Sequence, residues 1–214
     1  MECLSKKKAR PVQKCNLKKQ INNLVISLAV FTVIVIVTVG MPGAGKEEFL
    51  EVAKKFGFVP IRMGDIVREE TRKMNLPDTP ENVAKVASER REQYGLGYWA
   101  TLVVPRVTEK KTIIDGTRGD AELNIFRHNF GDKLVTIGIH ASPETRYERI
   151  LARARGDDEN SLEKCILRDQ RELKWGLGSA LAMVDYMLVN EGTLEEFRAN
   201  AEALIKKILE ERGL

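Results

Sequence analysis

Seven consecutive residues, Gly40-Met41-Pro42-Gly43-Ala44-Gly45-Lys46, carry the most specific chemistry in this 214-residue chain. Glycines at the Gly-x-x-x-x-Gly-Lys spacing let the backbone curl until several N–H groups face one concavity. A β-branched run over residues 33–39 precedes the turn and a helical pattern follows it, so the concavity lies at the positive end of a helix. Such a cradle accepts an anion of nucleotide-phosphate size, and Lys46 can reach the β- and γ-phosphates as a point charge. The next position is usually Ser or Thr, whose hydroxyl binds Mg²⁺; here it is Glu47. A carboxylate suits a helix N-terminus but repels phosphate unless a cation intervenes. Glu47 therefore either helps to hold Mg²⁺ or points out of the site.

Other residues gain a role only if the fold brings them to this cradle. Asp115 closes a Thr-Ile-Ile-Asp run. An acid ending a buried strand beside a phosphate loop can hold Mg²⁺ through water or take a proton from a nucleophile. Arg118, three residues on, is spaced to bind a second phosphate bidentately. Arg68 stands one turn beyond Gly64-Asp65, with Asp65 placed to cap its helix. Arg149, Arg153 and Arg155 crowd one helix end before Gly156-Asp157-Asp158. Arg149 and Arg153 share a face, where like charges repel unless acids or phosphates meet them. A lid carrying arginines to the transferring phosphoryl group, Arg153 among them, accounts for this cluster. A solvated basic helix end, favoured by the macrodipole, accounts for it equally well. Arg168-Asp169-Gln170-Arg171-Glu172 reads as a charged, solvated helix face. Asp185 and Asn190 flank the last strand, where a loop can touch a base. His128, His140 and the three cysteines have no metal-ligand spacing and no CxxC, which fits a reducing, cytoplasmic setting.

The elements that must position these residues follow from periodicity. Strands are predicted over 33–39, 58–62, 112–115, 134–140 and 186–190. A helix over 46–56 carries Phe49, Leu50, Ala53 and Phe56 at helical spacing and stops at Gly57. Others span 66–74, 80–94, 99–109, 120–129 and 143–155. Thr79-Pro80-Glu81 and Ser142-Pro143-Glu144 each supply a cap, a proline at the first helical position and an acid in the first turn. Asn160-x-x-Glu163 and Thr193-x-x-Glu196 read as capping boxes, the first opening a helix to about residue 175 and the second a C-terminal helix. Short apolar strands alternating with helices predict an α/β fold: a three-layer sandwich with a five-stranded parallel sheet. Ligands bind at the carboxyl ends of such strands, where Gly40, Asp115 and Asn190 fall.

Length suits one domain, expected over 33–214, after an N-terminal extension of residues 1–32. The net charge of +4 belongs to that extension. Residues 1–19 hold seven Lys or Arg against one acid, contributing +6 and leaving −2 for the rest, so no nucleic-acid-binding face is expected on the main domain. The basic then apolar order resembles a signal or anchor. Residues 24–39 as a helix would span about 24 Å, short of a hydrocarbon core of about 30 Å. The second half of the run is also required as the strand before the loop. The extension reads as disordered, as a surface anchor, or as translated from an upstream start codon; a membrane span is not expected.

The loop, including its proline, resembles that of adenylate kinases, as does Gly64-Asp65-x-x-Arg68, whose arginine in that family grips the acceptor phosphate. Asp115-Gly116-Thr117-Arg118 resembles their Asp-Gly-x-x-Arg segment, one residue shorter. Residues 182–196, with Asp185 and Asn190-x-Gly192-x-Leu194-Glu195-Glu196, resemble the end of dephospho-coenzyme A kinases. Residues 33–214 as a whole resemble a family of uncharacterised archaeal P-loop proteins related to these two kinases, through 62–68, 114–118, 140–149 and 168–176. The resemblance implies a P-loop NTPase with the nucleoside-monophosphate-kinase-like fold and ATP with Mg²⁺ at residues 40–47. The function expected is a kinase moving the γ-phosphoryl group of ATP to a small nucleotide-like or phosphorylated acceptor. Lys46, Asp115 and Arg153 would be catalytic, Arg68 and Arg118 would hold the acceptor, and Asp115 and Glu47 would hold the metal. An ATPase acting on an RNA or ribonucleoprotein partner, to which the basic tail points, and a nucleotide binder without turnover remain open alternatives.

Overall fold

The computed structural model describes residues 33–153 and 161–214. The 1–32 extension, Arg155 and the Asn160 capping box lie outside the described residues. In chain order the elements are β1 (Ile34–Val39), α1 (Lys46–Lys55), β2 (Val59–Arg62), α2 (Met63–Lys73), α3 (Pro80–Tyr94) and α4 (Tyr98–Val103). After a 3₁₀ turn come β3 (Lys111–Asp115), α5 (Asp120–Phe130), a second 3₁₀ turn, β4 (Leu134–His140), α6 (Pro143–Arg153), α7 (Leu162–Lys174), α8 (Leu177–Ala182), β5 (Tyr186–Val189) and α9 (Leu194–Glu211).

The five strands form one parallel sheet in the order β2-β3-β1-β4-β5. Every residue of β1 is buried, so its alternation feeds two cores. Ile34 and Ile36 meet Phe49 and Leu50 of α1 and Phe197, Ala201 and Ile205 of α9. Val35, Val37 and Val39 meet Met63 and Ile66 of α2, Trp99 of α4, Leu123 and Phe126 of α5 and Leu177 of α8. These are the expected three layers.

β1 lies between β3 and β4, and the chain serves the two sides of the sheet in turn. The loop after β1 therefore stands where connections diverge, the usual ligand position in such sheets. Arg62 is opposite Asp115 and Ile114 opposite Val37, so β2, β3 and β1 end close to one another.

Several boundaries differ from expectation for local reasons. Pro105 cannot supply an amide, and the helix expected over 99–109 gives way to a 3₁₀ turn at Val104–Arg106. α2 starts at Met63, directly after β2, which puts Asp65 inside the first turn instead of at the cap. Ser161 caps α7, its hydroxyl accepting from the Lys164 amide at 3.3 Å. α8 lies outside the helices that periodicity predicts; Gly176, at φ +92°, starts it. The Thr193–Glu196 capping box is present. Among the described residues no helix is long and apolar enough to cross a membrane.

Candidate functional site

The turn from β1 into α1 takes its shape from glycine. Gly43 and Gly45 have φ of +80° and +106°, in the region closed to most side chains. A Cβ on Gly45 would lie 2.3 Å from Asn190 Nδ2, the same atom that donates to the Ala44 carbonyl at 2.9 Å. One on Gly43 would lie 2.7 Å from the Arg146 carbonyl. The loop is therefore fixed from outside by Asn190, just after β5, and by α6. Lys46 Nζ donates back to the carbonyls of Gly40 at 2.7 Å and Met41 at 3.2 Å, across the mouth of the turn. Burial holds the Lys46 ammonium down to about 8; Arg118 and Arg168 add to the fall, while Asp115 and Glu172 oppose it. A phosphate in the cradle supplies the negative charge that restores the proton.

Asp115 ends β3 beside this loop. Its Oδ1 accepts from the Thr38 hydroxyl at 2.9 Å, which ties the carboxylate to the end of β1. Arg118 follows after a turn at Gly116, where φ is +99°. The Arg118 amide donates to Glu122 Oε2 at 2.6 Å, while Arg118 Nε lies 3.3 Å from Glu172 Oε2 on α7. Glu172, Asp115 and Glu122 together raise the guanidinium pKa of Arg118 against the effect of burial. Burial in turn raises Glu122 above the usual carboxylate range, while its bonds to Arg91 and the Arg118 amide resist.

The segment 168–172 is not the solvated face that its charges suggested. Asp169 and Glu172 are both buried. Asp169 takes two hydrogen bonds from Arg146, at 2.6 and 3.0 Å, and one from the Tyr147 hydroxyl at 2.8 Å. Arg146 also donates to the Pro42 carbonyl in the phosphate loop and to Ala141, both at 3.1 Å. One guanidinium thus joins the loop, α6 and α7. Sequence reasoning missed Arg146, Asp169 and Glu172. The available signal was spacing: Arg146 lies one turn before buried Ile150, and Asp169 one turn after buried Cys165. Charge on an apolar helix face requires a partner inside.

The remaining candidates are dispersed around this centre. Glu47, at the usual hydroxyl position, accepts from Arg62 at the end of β2, and both side chains are partly exposed. Arg68 pairs with Asp65 at 3.4 Å and Asp78 at 3.8 Å, on the flank formed by α2 and the start of α3. Arg149 does not face outward as a lid arginine: it donates to the Asn190 carbonyl at 3.0 Å. Arg153, exposed, is the last described residue of α6. Beyond Asn190 a cavity of about 470 Å³ opens between Val189, Gly192, Glu196 and Phe197. Asp185 instead binds the Thr136 amide and hydroxyl, tying β5 to β4.

The left-handed glycines, a ten-residue helix start and Lys46 fit a polyphosphate. Among the described residues no three His, Cys, Asp or Glu side chains gather to hold a metal. Mg²⁺ needs none: one or two carboxylates with substrate phosphates complete its shell, and Asp115 fits that part.

Comparison with known proteins places this geometry. Residues 39–165 match the AAA domain model, AAA_17. The UPF0200 protein of Thermoplasma acidophilum is 41% identical over 171 residues, covering 79% of this chain and 94% of that protein. The UPF0200 protein of Thermococcus onnurineus is 42% identical over 183 residues, covering 83% and 99%. Among solved structures, a gluconokinase from Sinorhizobium meliloti superposes with a TM-score of 0.56 at 19% identity, over 85% of this chain and 95% of that one. Shikimate kinase from Acinetobacter baumannii, in complex with shikimate, gives 0.55 at 16% identity, over 86% and 98%. At these identities the two kinases share the fold. The sequence relatives settle the family: the chain belongs to the UPF0200 proteins, with an AAA-type P-loop domain on a kinase-like fold.

Proposed function

We propose that residues 33–214 form an ATP-dependent phosphotransferase domain that moves the γ-phosphoryl group to a small nucleotide-like or phosphorylated acceptor. One observation carries the reading: β1 and β3 pair side by side, so the loop bearing Lys46 and the turn bearing Asp115 and Arg118 leave the same end of the sheet, tied by the Thr38–Asp115 hydrogen bond. A simple nucleotide binder needs the loop and its lysine; the arginine on the third strand's loop serves a second substrate. In this reading the triphosphate lies along residues 40–47, with its β- and γ-oxygens drawing Lys46 away from the Gly40 and Met41 carbonyls. The base lies toward Asn190 and the cavity beyond it. Arg68 and Arg118 hold the acceptor, and Arg153 approaches from the end of α6.

Mg²⁺, when bound, would offset the negative charge of the phosphates. Asp115 would hold it, and Glu47 would join if released by Arg62. Catalysis by the chain's own groups is then positioning and charge neutralisation. Glu47→Ser tests the metal assignment: the Mg²⁺ concentration for half-maximal ATP binding should shift, and an unaltered dependence rules Glu47 out.

ADP release measured with a panel of nucleoside monophosphates and dephospho-coenzyme A tests the function. At least one acceptor should stimulate release by tenfold or more, roughly the effect expected of orienting a second substrate. Release that no acceptor stimulates contradicts the reading.

A further inference from the structure

The contact between Arg118 and Glu172 is incomplete. Glu172 is 3% exposed, and its Oε2 lies 3.3 Å from Arg118 Nε without hydrogen-bond geometry. Arg118 Nη1 and Glu172 Oε2 are both buried, and neither makes a hydrogen bond among the described residues. Leaving a charged group's hydrogen bond unmade is costly, so such a mismatch points to a constraint from the surroundings. The Arg118 amide is fixed by Glu122, and a Cβ on Gly119 would come within 2.1 Å of the Trp175 carbonyl. The loop after β3 and the end of α7 are thus packed closely against each other. A quarter of the Arg118 side chain remains exposed, while the two unmet atoms themselves are covered.

An unmet donor beside an unmet acceptor is complementary to a group that both accepts and donates. A hydroxyl does so; a phosphate dianion only accepts. Charge balance points the same way. Glu172, Asp115 and Glu122 all act on Arg118, so its positive charge is already offset from three sides. A dianion brought to Glu172 would meet a carboxylate in a region of low polarisability, where like charges repel strongly.

We propose that Glu172 and Arg118 bind the reacting hydroxyl of an alcohol acceptor, with Glu172 as its proton acceptor. This rests on the phosphotransferase reading above and specifies its acceptor: the attacking atom is a neutral hydroxyl oxygen. In the transfer, that oxygen forms a bond to the γ-phosphorus as the bond from the γ-phosphorus to the β,γ-bridging oxygen breaks. ADP leaves with the electron pair of the broken bond. The hydroxyl proton passes to the Glu172 carboxylate and from there to solvent.

Two measurements test this. The first incubates the full chain with ATP and Mg²⁺ and either AMP, CMP and UMP or the alcohols dephospho-coenzyme A, gluconate, shikimate and adenosine, and identifies products by ³¹P NMR. A phosphomonoester from an alcohol is expected. A new diphosphate from a monophosphate overturns this inference and leaves the phosphotransferase reading standing; no product from any acceptor overturns both. The second compares Glu172→Gln with the unsubstituted protein. The acceptor-dependent kcat should fall about 100-fold or more, the range of general-base contributions, with loss of the acidic limb of its pH profile and with ATP binding retained. An unchanged kcat, or an unchanged pH profile, overturns the assignment. If Glu172→Gln does not fold, the product analysis decides alone.

Discussion

On the proposed function, Lys46 makes nucleotide binding sensitive to pH. In that reading its ammonium, held down to about 8 by burial, attracts the phosphate, so the protonated form should bind more tightly than the neutral form. Phosphate binding raises the pKa again, which makes ATP affinity full below about 8 and progressively weaker above it, with proton uptake on binding. Isothermal titration between pH 6.5 and 9.5 should show this trend. Lys46→Ala should lower affinity at pH 7 by roughly 10- to 100-fold, from ~1.5–3 kcal/mol for a charged hydrogen bond, and remove the trend. Asp115→Asn keeps an oxygen for Thr38 but loses the charge. It should leave ATP binding measurable while reducing acceptor-dependent turnover about 100-fold or more, the scale of losing one electrostatic group in a transfer site. The residues with a local signature were legible in the sequence. Gly40 to Lys46 declare themselves because the loop's chemistry is contiguous, and Asp115 because it ends an apolar run. Glu172 was hidden because its partner, Arg118, is remote in sequence and its own neighbours are charged.

At the scale of elements, α7 is the main revision. A run of alternating charges looked like a solvent face, yet one side of it is clamped to the phosphate loop through Asp169 and Arg146. Asp169→Ala would leave the Arg146 guanidinium buried without its counter-ion, at a cost of about 3–5 kcal/mol. Urea unfolding should report that loss directly. Gly119 tests the second lock. Its backbone is extended, so alanine suits its φ, but the new Cβ would strike the Trp175 carbonyl. Gly119→Ala should cost about 1–3 kcal/mol, the usual penalty of overpacking, and loosen Arg118 from Glu172. A melting temperature equal to that of the unsubstituted protein would contradict that packing. Helix ends with their own caps, at Thr79, Ser142 and Thr193, were readable locally. α8 was not, since six residues carry too little periodicity, and α4 was overextended because its stop depends on one proline.

For the whole molecule, the strand order explains why dispersed residues meet. Placing β1 between β3 and β4 brings Lys46, Asp115 and Arg118 to one end of the sheet, although 72 positions separate the first from the last. The alternation of strand and helix predicts the layers but contains no statement of strand order, which long-range packing decides. The claim joining these scales is that this end of the sheet transfers phosphate between two substrates. Single-turnover reaction with [γ-³²P]ATP, Mg²⁺ and an alcohol acceptor tests it most directly. The label should appear in the organic product with the unsubstituted protein and stay in ATP with Lys46→Ala. Label released only as inorganic phosphate, or transferred equally by Lys46→Ala, would contradict the account.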